Sequence, residues 1–189
     1  MTKEEIRSVY KAKRAAIDPR QKLKLDDLLL LQFQQLDYAG VETLLTYWPM
    51  SGQAEPNTHL FSGYLRHMLP GLQIAYPVSD QPTSTFTAVL IDESTVYHTN
   101  SWGITEPTAG IPLDAAAIDL VLVPLLAFDE EGYRVGYGKG FYDRFLANCR
   151  EDVVTMGFSY FPPVPRIADT GQFDVPLSYC ITPDRIYEF

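Results

Sequence analysis

The run LVLVPLLAF, Leu120 to Phe128, restricts the fold more than any other stretch of the chain. It has no polar side chain, so a strand built from it tolerates water on neither face. Its nine residues, interrupted by Pro124, fall far short of the roughly 20 that a membrane-spanning helix needs. Such a strand belongs in the middle of a parallel sheet with helices above and below. The preceding LDAAAID reads as a short helix that feeds it.

The flanking segments supply the covering layers. Residues 3–17 are good helix formers with Ile6, Val9, Tyr10, Ala16 and Ile17 near one face, and Asp18-Pro19 breaks them. Residues 20–36 form a second helix on Leu25, Leu28, Leu29 and Leu36. A strand follows at VETLLTYWPM (41–50), then a helix at NTHLFSGYLRHML (57–69) ended by Pro70-Gly71, then a short buried strand at LQIAYPV closed by Pro77. TSTFTAVLID and STVYHTN alternate polar and apolar residues around an Asp92-Glu93 turn, the pattern of antiparallel or edge strands. FYDRFLANCR starts a helix, and VVTMGFSY and SYCITPDRIYEF supply the last strands. The expected fold is α/β: a three-layer α/β/α domain spanning 1–189, its central sheet mostly parallel with one antiparallel excursion.

Hydrophobic content of 46% with 21% charged residues is that of a globular chain. A net charge of −9 argues against nucleic acid as a partner. The charge is unevenly placed. Residues 1–24 hold eight of the fifteen Lys and Arg against three acids, either a solvated helix face or a source of cations for an anionic ligand. Cys149 and Cys180 form no C-x-x-C pair, and the start lacks the apolar core of a signal peptide, so a reduced, cytoplasmic protein is expected. His59, His67 and His98 are isolated, without metal-ligand spacing, and belong on helix or strand surfaces. Small molecules rather than membranes are the expected partners, for a monomer or weak homo-oligomer.

RVGYGKGFYDRFL, from Arg134, places Gly136, Gly138 and Gly140 on alternate positions and then turns helix-like. Two readings fit. One is a tight turn between a strand and a helix. The other is a loop whose bare amides converge on an anion, phosphate above all, at the carboxyl end of a buried strand. Lys139 would add a full charge, and Asp143 is suited to a hard metal ion on the phosphate. The loop is neither a Walker A motif, since Gly140 and no Ser or Thr follows Lys139, nor a dinucleotide G-x-G-x-x-G.

The longer stretch DLVLVPLLAFDEEGYRVGYGKGFYDRFL closely resembles the signature of the 5-formyltetrahydrofolate cyclo-ligases (5,10-methenyltetrahydrofolate synthetases). Asp119, Pro124, Ala127, Phe128, Asp129, Gly132, Arg134, the three glycines, Tyr142, Asp143 and Leu146 all fit it. Lys3, Ile6 and Arg7 are similar to that family's N-terminal K-x-x-h-R, TYWPMSGQAEPNT to its Y-x-P…E-h-x-T element, WGITEP to its turn around Glu106, and FDVPLSYCIT to its closing segment. Phe173 stands at the family's usual histidine and Ser178 at its second aspartate. Pro183 replaces a frequent glutamate, and Pro162-Pro163 a common glutamine.

The resemblance implies conversion of 5-formyltetrahydrofolate to 5,10-methenyltetrahydrofolate with ATP as co-substrate and Mg²⁺, through phosphorylation of the formyl oxygen. By the same resemblance Lys3, Arg7, Arg134, Gly136, Gly138, Lys139, Gly140, Phe141, Tyr142 and Asp143 bind ATP, with Lys139, Arg134 and Tyr142 in the chemistry. Tyr47, Trp48, Met50, Glu55, Tyr137, Phe141 and Tyr142 contact the folate, and Asp143 and Asp174 hold the metal. The aromatic residues among these also fit plain core positions. Two other functions keep the phosphate site: a nucleotide- or folate-binding relative without turnover, and a sugar-phosphate isomerase or coenzyme A transferase on a related layered fold.

Overall fold

β7 (Leu120–Val123) lies near the centre of an eight-stranded sheet, and all four of its residues are buried. Leu120 and Leu122 enter one apolar cluster, Val121 and Val123 the cluster on the opposite face. The structure, a computed structural model, describes residues Met1 to Phe189. β1 (Thr43–Leu45) and β10 (Val154–Phe158) flank β7 in parallel, and β2 (Gln73–Asp80) and β11 (Tyr179–Ile181) extend the parallel set to five strands. Both margins then turn antiparallel. β3 (Thr85–Leu90) and β6 (Ile111–Leu113) lie beyond β2, and β12 (Ile186–Glu188) lies beyond β11. The expected single excursion is therefore two.

α2 (Pro19–Phe33) and α3 (Thr58–Met68) cover one face, where Leu29, Phe33, Phe61 and Leu65 meet Met156 and Phe158. Phe61 stacks flat on Phe158 at 3.9 Å between ring centroids. α4 (Phe141–Leu146) covers the other face through Phe145 and Leu146. α1 (Lys3–Ala15) covers neither. Its Ile6 and Tyr10 pack with Leu126, Ala127 and Val135 of a small hairpin, β8 (Ala127–Phe128) and β9 (Arg134–Val135). This seats α1 beside the glycine loop. A capping box starts α1: the Thr2 hydroxyl accepts from the Glu5 amide, and the Glu5 carboxylate accepts from the Thr2 amide. Asp18, which breaks the first helix, caps the second.

Four segments depart from the sequence reading. The strand expected over 41–50 pairs only over Thr43–Leu45; beyond it the chain leaves the sheet. The apolar run splits at Pro124 into β7 and the separate strand β8. Residues 94–100 do not pair with 83–92; β4 (Tyr97–Thr99) instead joins β5 (Thr105–Pro107) in a two-stranded ribbon. β2 also runs straight through Pro77. The Ala75 carbonyl accepts from Thr46, so odd-numbered groups of β2 face β1, and β1 has ended by Pro77. The missing amide therefore costs no ladder bond. Two residues on, the Ser79 amide on this open edge donates to the buried Glu106 carboxylate at 2.6 Å.

Candidate functional site

Where β1 stops and β2 continues, a cleft of about 680 Å³ opens beyond the carboxyl ends of β1 and β7. Parallel sheets hold ligands in such places. Lys3 and Arg7 enter it from α1, and Tyr47, Trp48, Met50 and Glu55 from the segment after β1. Arg134, the loop Gly136 to Gly140, and Phe141, Tyr142 and Asp143 of α4 form another wall, with Asp174 opposite Lys3. Every residue expected at nucleotide, folate or metal thus lines one cavity. The sequence reading missed Gln53, Pro77, Ser79, Phe86, Trp102, Ile104 and Pro124.

The three loop glycines are not equivalent. Gly138 (φ +89°) and Gly140 (φ +70°) adopt left-handed backbone that only glycine takes without strain; Gly136 does not. A Cβ on Gly138 would sit 3.3 Å from the Arg7 guanidinium, whereas on Gly136 its nearest neighbour would be the Pro124 carbonyl at 4.0 Å. The Arg7 Nε donates to the Gly136 carbonyl at 3.0 Å, so the guanidinium rests on the loop with no carboxylate bound to it. Lys139 is exposed and in no ion pair; its Nζ lies 5.4 Å from the centre of the Trp102 ring, which meets Phe141 edge-on. Gly140 caps α4, but a helix of six residues adds little field of its own to attract an anion.

The two acids assigned to metal are both engaged by cations. Asp143 Oδ1 accepts from Arg134 Nη2 at 2.8 Å and from the Val175 amide at 3.1 Å, leaving its other oxygen without a hydrogen bond. Asp174 takes Lys3 Nζ at 2.6 Å on both oxygens and the Gly171 amide at 2.6 Å. No group of three or more His, Cys, Asp or Glu side chains converges on a metal position. The donor set suits a Mg²⁺ ion that arrives with phosphates and takes only one or two protein carboxylates. Trp48 packs against His59 and Tyr97 and also lines the cleft. The three histidines are exposed, and the Asp129 carboxylate is spent on the Glu131 and Tyr133 amides of its own turn and on the amide of the distant Ile167.

At the inner end of the cleft Glu55 is 2% exposed. Its Oε2 accepts from the Met50 amide and its Oε1 from the Tyr137 hydroxyl, each at 2.7 Å. Burial pushes the carboxyl up from its ordinary range, and those two donors together with Arg14 and Lys22 oppose the rise. Burial, then the Glu55 charge, keeps the Tyr47, Tyr137 and Tyr142 hydroxyls protonated far above neutral pH. Arg14, 4% exposed, donates from Nη1 to the Tyr137 hydroxyl and the Leu125 carbonyl, each at 3.2 Å. Sequence reasoning missed Arg14, although it stands two helical turns from Arg7.

The family model described as the 5-formyltetrahydrofolate cyclo-ligase family matches residues 1–168. The chain belongs to that family. A 5-formyltetrahydrofolate cyclo-ligase of Escherichia coli K12 is 33% identical over 78 residues, 41% of this chain and 43% of the relative, so the matched stretch spans under half of that protein. The mitochondrial 5-formyltetrahydrofolate cyclo-ligase of Arabidopsis thaliana is 26% identical over 97% of this chain and 78% of its own. The solved Aquifex aeolicus 5,10-methenyltetrahydrofolate synthetase superposes with a TM-score of 0.81 over 100% of this chain and 93% of its own, at 24% identity. Its likeness establishes the fold. No helix of this cyclo-ligase family member is long and apolar enough to cross a membrane.

Proposed function

We propose that the protein is a 5-formyltetrahydrofolate cyclo-ligase, forming 5,10-methenyltetrahydrofolate with consumption of ATP. One observation carries this reading. A single cleft has the glycine loop with Arg7 and Lys139, groups suited to phosphate, at one end and a buried carboxylate among aromatic rings at the other. The formamide oxygen of the substrate is a poor leaving group. Its attack on the γ-phosphorus of ATP expels ADP and leaves a phosphorylated oxygen on an iminium carbon. N10 then attacks that carbon, phosphate departs, and N10 gives up its proton as the ring closes. No protein nucleophile is needed, so orientation and charge compensation carry the rate.

Loop amides and Lys139 offset negative charge as it moves to the formyl oxygen, with Arg7 and Lys3 on the remaining phosphates. Arg134, locked on Asp143 and the Val175 carbonyl, ties α4 to β9, the two ends that flank the loop, and to the segment around Val175, next to Asp174. Mg²⁺ would be held by the free oxygen of Asp143, with Asp174 released from Lys3, and would neutralise phosphate charge. Glu55 receives the amino edge of the pterin, while Tyr47, Trp48 and Phe141 cover its faces. Two free thiols, Cys149 half-buried and Cys180 buried, fit a reducing, cytoplasmic setting. Purified protein mixed with 5-formyltetrahydrofolate, ATP and Mg²⁺ should develop the near-ultraviolet absorbance of the methenyl product. Tight binding of both ligands without that absorbance would mark a non-catalytic relative and end the proposal.

A further inference from the structure

The contact between α1 and the inner wall of the cleft is absorbed by none of the steps above. Arg14, Tyr137 and Glu55 come from α1, the glycine loop and the segment after β1, yet they form one chain of hydrogen bonds. Its polarity is fixed. A guanidinium only donates, so Tyr137 accepts from Arg14, and its single hydroxyl proton goes to Glu55. Arg14 is pinned in turn by the Leu125 carbonyl, directly after Pro124 of the cleft. We propose that Arg14 and Tyr137 are positioning residues that hold Glu55 as a fixed, ionised acceptor at the inner wall, set for a ligand edge bearing two adjacent N–H groups. A reduced pterin has such an edge, so the inference rests on the folate reading of the cleft and extends it.

The geometry leaves room for that task. Each Glu55 oxygen accepts one hydrogen bond from the protein, so about two of its four lone-pair sites remain for a ligand. A carboxylate this buried is under pressure to take up a proton, and a protonated one could accept only one N–H while presenting a donor to the other. The groups facing Glu55 are Arg14, Lys22, and the tyrosines 47, 137, 142 and 160. The four phenols stay neutral, and Lys22 is already bound by Asp26 at 2.7 Å. Of these groups, that leaves Arg14, acting through Tyr137, as the cation committed to Glu55.

Tyr137→Phe deletes only the relay hydroxyl. Its KM for 5-formyltetrahydrofolate should rise about tenfold at pH 8, the equivalent of one hydrogen bond to a charged group, and further at pH 6. The KM for ATP should move less than about twofold, and kcat should fall far less than the folate KM rises. Arg14→Met should act like Tyr137→Phe, with Arg14→Lys between it and wild type; should Arg14→Met not fold, the other two carry the test. Equal increases in both KM values, or a folate effect identical at pH 6 and pH 8, would overturn the relay. If wild-type protein neither binds nor converts 5-formyltetrahydrofolate, the folate reading fails, and the relay is read without ligand. The pH range over which the melting temperature diverges from that of the Glu55→Gln counterpart should then lie about one unit higher in the Tyr137→Phe background. An unshifted range would refute it.

Discussion

Alanine substitution along the glycine loop separates backbone geometry from ligand approach. At Gly138 an alanine must hold φ near +89°, which costs an L-residue roughly 1–2 kcal/mol. Its Cβ would also press on the Arg7 guanidinium at 3.3 Å, a side-chain end that can yield by a few tenths of an ångström. For a chain of this length the melting temperature should fall by about 2–8 °C. At Gly136 the φ is not left-handed and the nearest atom is 4.0 Å away, so alanine fits and should raise the melting temperature slightly, by up to about 4 °C. Any loss of function in Gly136→Ala then reports on ligand alone. If phosphate approaches the bare loop, the added methyl should displace one amide contact and raise the KM for ATP roughly tenfold. Calorimetry and steady-state kinetics on both variants decide the matter. A Gly136→Ala protein with wild-type melting and wild-type KM for ATP would refute the bare-loop account, and an unaltered melting temperature in Gly138→Ala would refute the strain argument.

Three further outcomes are expected. Lys139→Ala, which removes an exposed and unpaired cation, should lower kcat on the order of 100-fold with no change in melting temperature; an unchanged kcat removes Lys139 from the chemistry. Asp143→Asn should raise the Mg²⁺ concentration needed for half-maximal rate, and superimposable magnesium titrations would count against its role. Asp119 joins the start of β7 to β1 through the Glu42 and Thr43 amides and holds Arg150 at 2.6 Å. Partial burial works against its ionisation, but those amides and the guanidinium outweigh it and hold the carboxyl below its ordinary range. Its stabilisation is therefore present above the unfolded carboxylate range and lost as pH falls through the lower, folded pKa. Asp119→Asn should melt about 4–8 °C below wild type at pH 7, and the gap should close as pH drops below 4. A constant gap down to pH 3 would contradict this.

The centre of the fold was legible because burial on both faces leaves an uninterrupted apolar string, as in Leu120 to Val123. The margins were less so. Pro77 reads as a strand stop, and only knowledge of where β1 ends shows that its absent amide points at nothing. Tyr97 to Thr99 alternates like a partner for the preceding strand, yet pairing is settled by register with Thr105 to Pro107, which alternation does not encode. In the site, spacing alone left the glycine loop open between a turn and an anion cradle; resemblance to the cyclo-ligase motifs supplied Lys3, Arg7, Tyr47, Trp48, Met50, Glu55 and Asp174 from other segments. Trp102 was overlooked because WGITEP drew attention to Glu106, which proves to cap the open edge of β2. Arg14 was overlooked because one buried cation in a basic segment looks like its solvated neighbours until Tyr137 and Glu55 are placed against it.

Lys3 and Arg14 are eleven positions apart on one rigid rod, about 16 Å along its axis, with Arg7 between them. The rod therefore acts as a gauge that fixes the spacing between the glycine-loop end and the Glu55 end of the cavity. Since α1 leans on the β8–β9 hairpin and not on the main sheet, a small tilt would carry both ends together. Adding a single residue between Arg7 and Arg14 would swing the two cationic ends about 100° out of alignment, leaving either subsite furnished but never both at once.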